Sequence, residues 1–461
     1  MPTVSLASLG CSKNLVDSEV MLGLLNRAGY ELVSEHQDAD VIIVNTCAFI
    51  GPAKAESIET ILELAKFKED GRCASLVVAG CMAQRYSNEL MAELPEVDAI
   101  VGVHQYPQIV ELLDQLGTRP AGTLREIRRT PLPTDYSYPR ILIGPAHSVY
   151  LKIAEGCDRR CTFCIIPAIR GKQRSRTVAS LVQEARELAE NGAVELNLIS
   201  QDTTWYGKDL AEPDSLATLL KALNKVDGIR WIRPLYNHPV RFSEELISTI
   251  GELDHVCKYI DMPLQHISDR MLTAMNRETS RKAIEQLLKR IRERIPGVAL
   301  RTTFIVGFPG ETDEDFETLF QFIQDTQFDR VGVFPYSIEE HTPAASYPDQ
   351  VPEAVITERY NRLMELQQGL SYEKNLARIG QTLDVLIDEV TAGDSGSSGV
   401  GRTEWDAPEV DNEVLLTGSN LVPGNFVKAI ITDAMEYDLV GSVVAVTRPK
   451  LIPIPNAFST A

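Results

Sequence analysis

The chain has 461 residues, 44% of them hydrophobic and 24% charged, and carries a formal charge of −20. At roughly 100–200 residues per domain this length fits two to four domains with large buried cores, and no stretch approaches the roughly 20 apolar residues of a membrane span. A negative field of this size repels nucleic acid at long range unless a local basic patch opposes it, and it favours basic partners. Met1 to Gly10 lack the basic start and long apolar run of a secretion signal, so a cytoplasmic location is expected. Eight cysteines in a large cytoplasmic chain then point to metal or redox chemistry more than to disulfides.

The first 116 residues alternate apolar runs with helical patterns. Val4–Leu9, Val41–Asn45, Leu76–Ala79 and Ala99–Val103 read as buried strands, and Ser18–Ala28, Ala53–Lys68 and Gln108–Leu116 as helices. That alternation predicts an α/β domain with a parallel sheet. Residues 117–140 read as a linker, with Pro120, Pro131, Pro133 and Pro139 and a basic stretch at Arg125, Arg128 and Arg129. A second α/β alternation spans 141–378. Its strands are Ser148–Ala154, Glu195–Ser200, Trp231–Leu235, Lys258–Met262, Ala299–Val306 and Val331–Phe334, which predict a partial or complete (β/α) barrel. Helices are expected at Ser180–Glu190, Arg281–Arg294 and Asp313–Asp325, with a long one at Glu353–Arg378. Residues 379–447 hold short β-rich runs between Gly, Asp and Ser turns and predict a small antiparallel barrel; 448–461 form a Pro-rich tail.

Cys157, Cys161 and Cys164 form a CxxxCxxC motif just after the first strand of the predicted barrel, the strand end where such barrels place their active sites. Thiolates are soft ligands that suit iron–sulfur clusters. Three of them on one loop can hold three irons of a cubane and leave the fourth open to a small cofactor. A zinc site is the alternative, but zinc wants a fourth ligand and the loop contains no histidine.

Cys11, Cys47 and Cys81 are 36 and 34 positions apart, yet each closes a predicted strand: Leu9-Gly10-Cys11, Asn45-Thr46-Cys47 and Ala79-Gly80-Cys81. In a parallel sheet these ends emerge on one edge, where ligands of open α/β sheets bind. Gly10 and Gly80 allow close backbone approach there. A second metal cluster is expected at this trio; three separate core cysteines are the alternative. Cys73 and Cys257 lack such a context and read as small core residues.

With Phe163 in its aromatic position, the CxxxCxxC motif resembles that of the radical S-adenosylmethionine superfamily. The resemblance implies that S-adenosylmethionine chelates the open iron and is cleaved reductively to a 5′-deoxyadenosyl radical. It also implies cofactor contacts at Phe163, at Gln201 within Leu198-Ile-Ser200-Gln201-Asp202, and at Gly307 and Glu311 within Ile305-Val-Gly307-Phe-Pro-Gly310-Glu311. Pairing this motif with the Cys11/Cys47/Cys81 set resembles the methylthiotransferase family over nearly the whole chain: an N-terminal cluster domain, a radical domain and a C-terminal TRAM domain. Gly10-Cys11-Ser12-Lys13-Asn14-Leu15, Tyr259-Ile-Asp261-Met-Pro263-Leu-Gln265-His266 and Gly332-Val-Phe334-Pro-Tyr336-Ser337 are similar to the RimO branch of that family, and His341 departs from its usual glycine.

That branch implies two [4Fe-4S] clusters and S-adenosylmethionine as cofactors. Its reaction is methylthiolation of an aspartate β-carbon in ribosomal protein S12, and its partners are a reductant such as flavodoxin or ferredoxin and a sulfur donor. Transfer-RNA adenosine methylthiolation, a non-catalytic iron–sulfur electron carrier and an RNA-binding scaffold are the competing readings. Charge bears on the choice. Residues 379–447 carry twelve Asp and Glu against Arg402 and Lys428, a net −10. Such a surface repels phosphates and attracts a lysine- and arginine-rich protein, so RNA binding through the C-terminal barrel is not expected. The opposite charge collects at Arg159, Arg160, Arg170, Lys172, Arg174 and Arg176, where it can serve a carboxylate of cofactor or substrate, or pack in ion pairs with neighbouring helices.

Overall fold

The computed structural model describes residues 1–116, 124–127, 137–393 and 396–447. Pro120, Arg128, Arg129, Pro131 and Pro133 of the expected linker, Asp394, and the tail 448–461 lie outside the described residues. The chain divides into two compact units. The first joins Met1–Gly144 to two later segments, Ala154–Arg176 and Ser337–Ser346; the second holds the rest.

The first unit is built on a six-stranded, wholly parallel sheet. Its spatial order is Glu31–Leu32, Thr3–Ser8, Val41–Thr46, Ser75–Gly80, Ala99–Val101 and Leu124–Glu126. Alternate side chains face opposite ways along each strand. Ile42, Val44, Leu76, Val78 and Ile100 enter one core, while Val4, Ile43, Val77, Ala79, Ala99 and Val101 enter the other. Both faces are covered, as a parallel sheet requires. Ile165 and Ile169, from the segment carrying Cys157, Cys161 and Cys164, are buried in the first of these cores. The two outermost strands were not expected, because runs of two and three residues are too short to carry a usable periodicity.

The helix expected at Ser18–Ala28 begins six residues earlier and spans Ser12–Arg27. Its apolar stripe is short because Lys13, Asn14, Asp17, Ser18 and Glu19 are buried in place of hydrophobic residues. A hydrophobic pattern cannot announce a helix whose inner face is polar.

The second unit contains two three-stranded parallel sheets. One runs Trp231–Pro234, Glu195–Ile199, Ser148–Lys152, and the other Tyr259–Asp261, Ala299–Val306, Arg330–Pro335. A parallel bridge between Ile232 and Val256 joins them, so the six strands follow one another in chain order as the expected partial barrel. Among the described residues no ladder joins the last strand to the first.

Five strands, Thr382–Gly393, Gly396–Arg402, Val414–Gly418, Phe426–Ala434 and Leu439–Thr447, close the C-terminal barrel. All neighbours are antiparallel except Val414–Gly418 with Leu439–Thr447. Directions cannot alternate around a closed ring with an odd number of strands, so one parallel pair is a topological necessity. This small barrel sits against the starts of the large barrel's strands. Arg330 pairs with Asp406, Arg301 with Asp411 at 3.1 Å, and Tyr259 Oη donates to Asp411 at 2.5 Å. Arg402 pairs with Glu195 at 2.8 Å, and Trp231 meets Phe426 edge to face. Tyr259, Glu195, Trp231 and Arg330 are the first residues of their strands and Arg301 the third of its own, whereas Gln201 and Gly307 follow strand ends.

Candidate active site

Thr3–Ser8, Val41–Thr46 and Ser75–Gly80 are adjacent in the first sheet, with Ser8 opposite Asn45 and Thr46 opposite Gly80. Their C-terminal ends are therefore level. Cys47 and Cys81 are the next residues after two of them, and Cys11 follows the third after a two-residue turn. Gly10 has φ +88°, and a Cβ there would lie 2.6 Å from Cys47 Cβ and 2.9 Å from its Sγ. Only a residue without a side chain lets the Cys11 turn approach Cys47 so closely.

The three thiols feel one another. Cys81 is pushed up to about 12, chiefly by burial, with Cys11 and Cys47 adding to the rise and the Arg170 guanidinium opposing it. Cys47 is also raised, chiefly by burial, with Cys11 adding to it. Cys11 caps the 16-residue helix Ser12–Arg27, whose positive end faces the trio. Ser12 Oγ is buried with no hydrogen-bond partner. Soft donors, a helix N-terminus and an orphaned hydroxyl donor together fit an anionic iron–sulfur cluster. Among the described residues no three Cys, His, Asp or Glu side chains converge on a point where one metal ion could sit. A cubane binds each thiolate to a different iron, so it does not need that convergence.

Arg170 lies beside this trio, buried at the end of the short helix Ile166–Arg170. It donates to both oxygens of Glu155 at 2.9 and 3.0 Å, to Asp17 at 3.3 Å, to Asn14 Oδ1 at 2.5 Å and to Cys81 Sγ at 3.5 Å. Asn14 in turn donates to the carbonyls of Leu9 and Thr46, tying two of the cysteine-bearing turns together. Of the two roles open to Arg170 in the sequence, internal ion pairing is the one that its carboxylate contacts show.

Cys157, Cys161 and Cys164 lie on the loop between Ala154–Glu155 and Ile166–Arg170. The amide of Cys157 donates to Gly171 O, that of Arg159 to Cys157 Sγ at 3.4 Å, and that of Cys164 to Cys161 O. Cys157 is buried, while Cys161, Phe163 and Cys164 are partly exposed. An N–H donor aimed at a sulfur on an irregular loop suits a cluster ligand. None of the eight cysteines is in a disulfide, and Cys73 and Cys257 are buried in cores.

In the second unit, Ser200 and Gln201 follow strand Glu195–Ile199, and Gly307 follows strand Ala299–Val306. Ser200 Oγ is buried without a hydrogen-bond partner, an open polar contact at a strand end that fits a polar cofactor. Gly307 has φ +77°, and a Cβ there would sit 2.3 Å from Ile356 Cγ1. The Glu311 carboxylate is wholly buried. It accepts from the Gly307 amide, from Arg359 at 2.8 Å and from His266 Nε2 at 3.1 Å. His266 Nδ1 accepts from the amides of Ile267 and Ser268, which leaves the proton on Nε2. Glu311 thus braces the Gly307–Gly310 turn. Asn14 and His266 stand in the family-like segments of the sequence, and His266 is a structural hydrogen-bonder here; Arg359 is marked by no local motif, because its partners Glu311 and Asp313 are remote in sequence.

Three family models match the chain: uncharacterized protein family UPF0004 over residues 3–102, the radical SAM superfamily over 151–323 and the TRAM domain over 379–444. The ribosomal protein uS12 methylthiotransferase RimO of Geobacter sulfurreducens is 49% identical over 96% of this chain and 98% of its own length. The RimO of Clostridioides difficile is 47% identical over 96% and 99%. This chain belongs to the RimO family of methylthiotransferases.

RimO-family membership bears out the resemblance carried by the cysteine-bearing segments and makes the chain a radical S-adenosylmethionine methylthiotransferase. The fold agrees. The radical S-adenosylmethionine methyltransferase TsrM from Kitasatospora setae, solved with cobalamin and a [4Fe-4S] cluster, superposes with a TM-score of 0.54 at 16% identity, over 74% of each chain. The cobalamin-dependent radical enzyme OxsB gives 0.51 at 14% identity, over 79% of this chain and 56% of its own. At these identities the likeness is one of fold. No helix among the described residues is long and apolar enough to cross a membrane.

Proposed function

We propose that this RimO-family chain places a methylthio group on the β-carbon of an aspartate in ribosomal protein S12. One observation carries most of the structural weight: both three-cysteine sets belong to the same compact unit, and the loop of one is packed into the core beneath the other. A carrier or scaffold needs no such pairing, whereas a reaction that makes a radical and delivers sulfur to the same carbon does.

In this reading Cys157, Cys161 and Cys164 hold the cluster that binds S-adenosylmethionine, and Cys11, Cys47 and Cys81 hold the second. When bound, these groups supply a carbon radical able to take hydrogen from an unactivated C–H bond, together with the sulfur to be transferred. The chain's own residues orient and exclude water. Phe163, partly exposed on the loop of Cys157, Cys161 and Cys164, is proposed to contact the cofactor. Ser200 and Gln201 offer polar contacts at a strand end, and the Gly307 turn, held by Glu311, offers a backbone surface without a side chain. A reductant such as flavodoxin or ferredoxin, a sulfur donor and a cytoplasmic setting complete the proposal.

The deciding experiment incubates the anaerobically reconstituted enzyme with reductant and S-adenosylmethionine against either S12 or transfer RNA. A gain of about 46 Da on an S12 peptide, SCH₃ in place of H, with none on transfer RNA, is expected. The reverse result overturns the assignment.

A further inference from the structure

A buried cation, Arg170, lies beside the N-terminal thiol set and is itself no ligand of either proposed cluster. Arg170 belongs to the segment that carries Cys157, Cys161 and Cys164, yet its Nη2 points at Cys81 Sγ, 3.5 Å away. Its other nitrogen is held by Glu155, two residues before Cys157, through both carboxylate oxygens. Asp17 and Asn14, on the helix that starts beside Cys11, complete its surroundings. Arg170, Asn14, Asp17 and Glu155 are each more than nine-tenths buried. A charged group this deep is costly unless every hydrogen bond is used, and a packing role needs no N–H aimed at sulfur.

We infer that Arg170 is a positioning residue joining the two cluster sites: it donates a hydrogen bond to the Cys81 ligand of the N-terminal cluster and raises that cluster's reduction potential, while Glu155 anchors it to the loop of the radical cluster. The inference rests on the reading that Cys11, Cys47 and Cys81 hold an iron–sulfur cluster. Hydrogen bonds to ligand sulfur and nearby positive charge both favour the reduced, more negative cluster. Glu155 opposes this by drawing charge from the guanidinium. The planar fork of arginine serves both partners at once, which the single ammonium of a lysine cannot.

The test isolates the N-terminal cluster in the full-length C157A/C161A/C164A chain and measures its midpoint potential by titration followed by electron paramagnetic resonance. R170Q, R170K and E155Q are compared in that background. R170Q is expected to lower the potential, R170K to lower it less, and E155Q to raise it, because the counter-charge is gone while an amide oxygen still accepts from Arg170. A purely structural role would reduce iron content in both R170Q and E155Q without moving their potentials in opposite directions. Unchanged potentials in variants that retain about four irons per chain overturn the inference. Should R170Q lose its iron, E155Q and R170K still carry the test, and an unshifted or lowered E155Q potential overturns it. Absence of iron in the parent background would instead refute the cluster reading itself.

Discussion

Arg359 and Glu311 meet at 2.8 Å inside the second unit, and the Glu311 side chain has no exposure to solvent. The pair links the long helix Glu353–Leu376 to the turn after strand Ala299–Val306. Removing one partner of a buried pair strands the other charge. R359A is expected to lower unfolding stability by about 3–5 kcal/mol, measured by denaturant titration. E311Q keeps the shape but weakens the hold on the Gly307 amide. It should reduce S-adenosylmethionine affinity several-fold with a smaller stability loss, read by calorimetry of the reconstituted enzyme.

Gly307 offers a second test of that turn. Its φ of +77° disfavours any side chain, and Ile356 occupies the space a Cβ would take. G307A is expected to cost more than about 1 kcal/mol. The double variant G307A/I356A should recover only part of the lost cofactor binding, since it relieves the clash but not the backbone strain. Full recovery would show that strain is irrelevant.

The two cysteine sets should separate chemically. C161A is expected to drop iron from about eight to about four per chain and to abolish deoxyadenosine formation. C81A should lose about as much iron yet still cleave S-adenosylmethionine, with no methylthiolated product. Iron analysis and chromatography of the nucleoside products check both; methylthiolation by C81A at the parent rate would remove the second site.

Acid stability should report the Glu195 cluster. Burial alone would raise this carboxyl, but Arg402, Arg233 and the Ser148 hydroxyl bring it down to about 2 from the usual 4.5. A depressed folded value means that its contribution is full above about pH 4.5 and is lost as the pH falls towards 2. R402A should destabilise at pH 7 and flatten the acid limb between those values. An unaltered acid limb in R402A would dissociate Glu195 from that loss.

The acidic side chains of the C-terminal barrel divide into paired and solvent-facing sets. Asp406 and Asp411 are occupied by Arg330 and Arg301, and Asp388 by Arg402. Asp406 and Asp411 tie the small barrel to the large one, Asp388 steadies Arg402 within the small barrel, and all three contribute little external field. Glu389, Glu409, Glu413, Asp433 and Glu436 are exposed. Neutralising Glu389, Glu413 and Glu436 together is expected to slow S12 association at low salt and to leave stability within about 0.5 kcal/mol. D406N should do the opposite, lowering stability without altering the salt dependence measured by stopped flow.

Much of the site was legible because cysteine chemistry is local. CxxxCxxC sets its three proposed ligands within eight residues, and Gly10 and Gly80 mark strand ends beside Cys11 and Cys81. The four inner strands of the first sheet and the strands of the large barrel were visible through apolar runs, since buried parallel strands are hydrophobic on both faces. The helix Ser12–Arg27 was seen only in part, because its buried face is polar. The strand Gly396–Arg402 was missed, since a Gly- and Ser-rich run has no hydrophobic period to read.

By itself, then, the sequence named the thiols proposed to hold metal and determined which family the chain joins, because thiol identity and spacing are written into short segments. Only the tertiary structure decided where the charges went. It placed Arg170 against Cys81, 89 positions away, and it spent Asp406 and Asp411 on the strand starts of the large barrel. Ion pairs between remote residues form only when folding excludes water around them, and no local pattern encodes which partners will meet there.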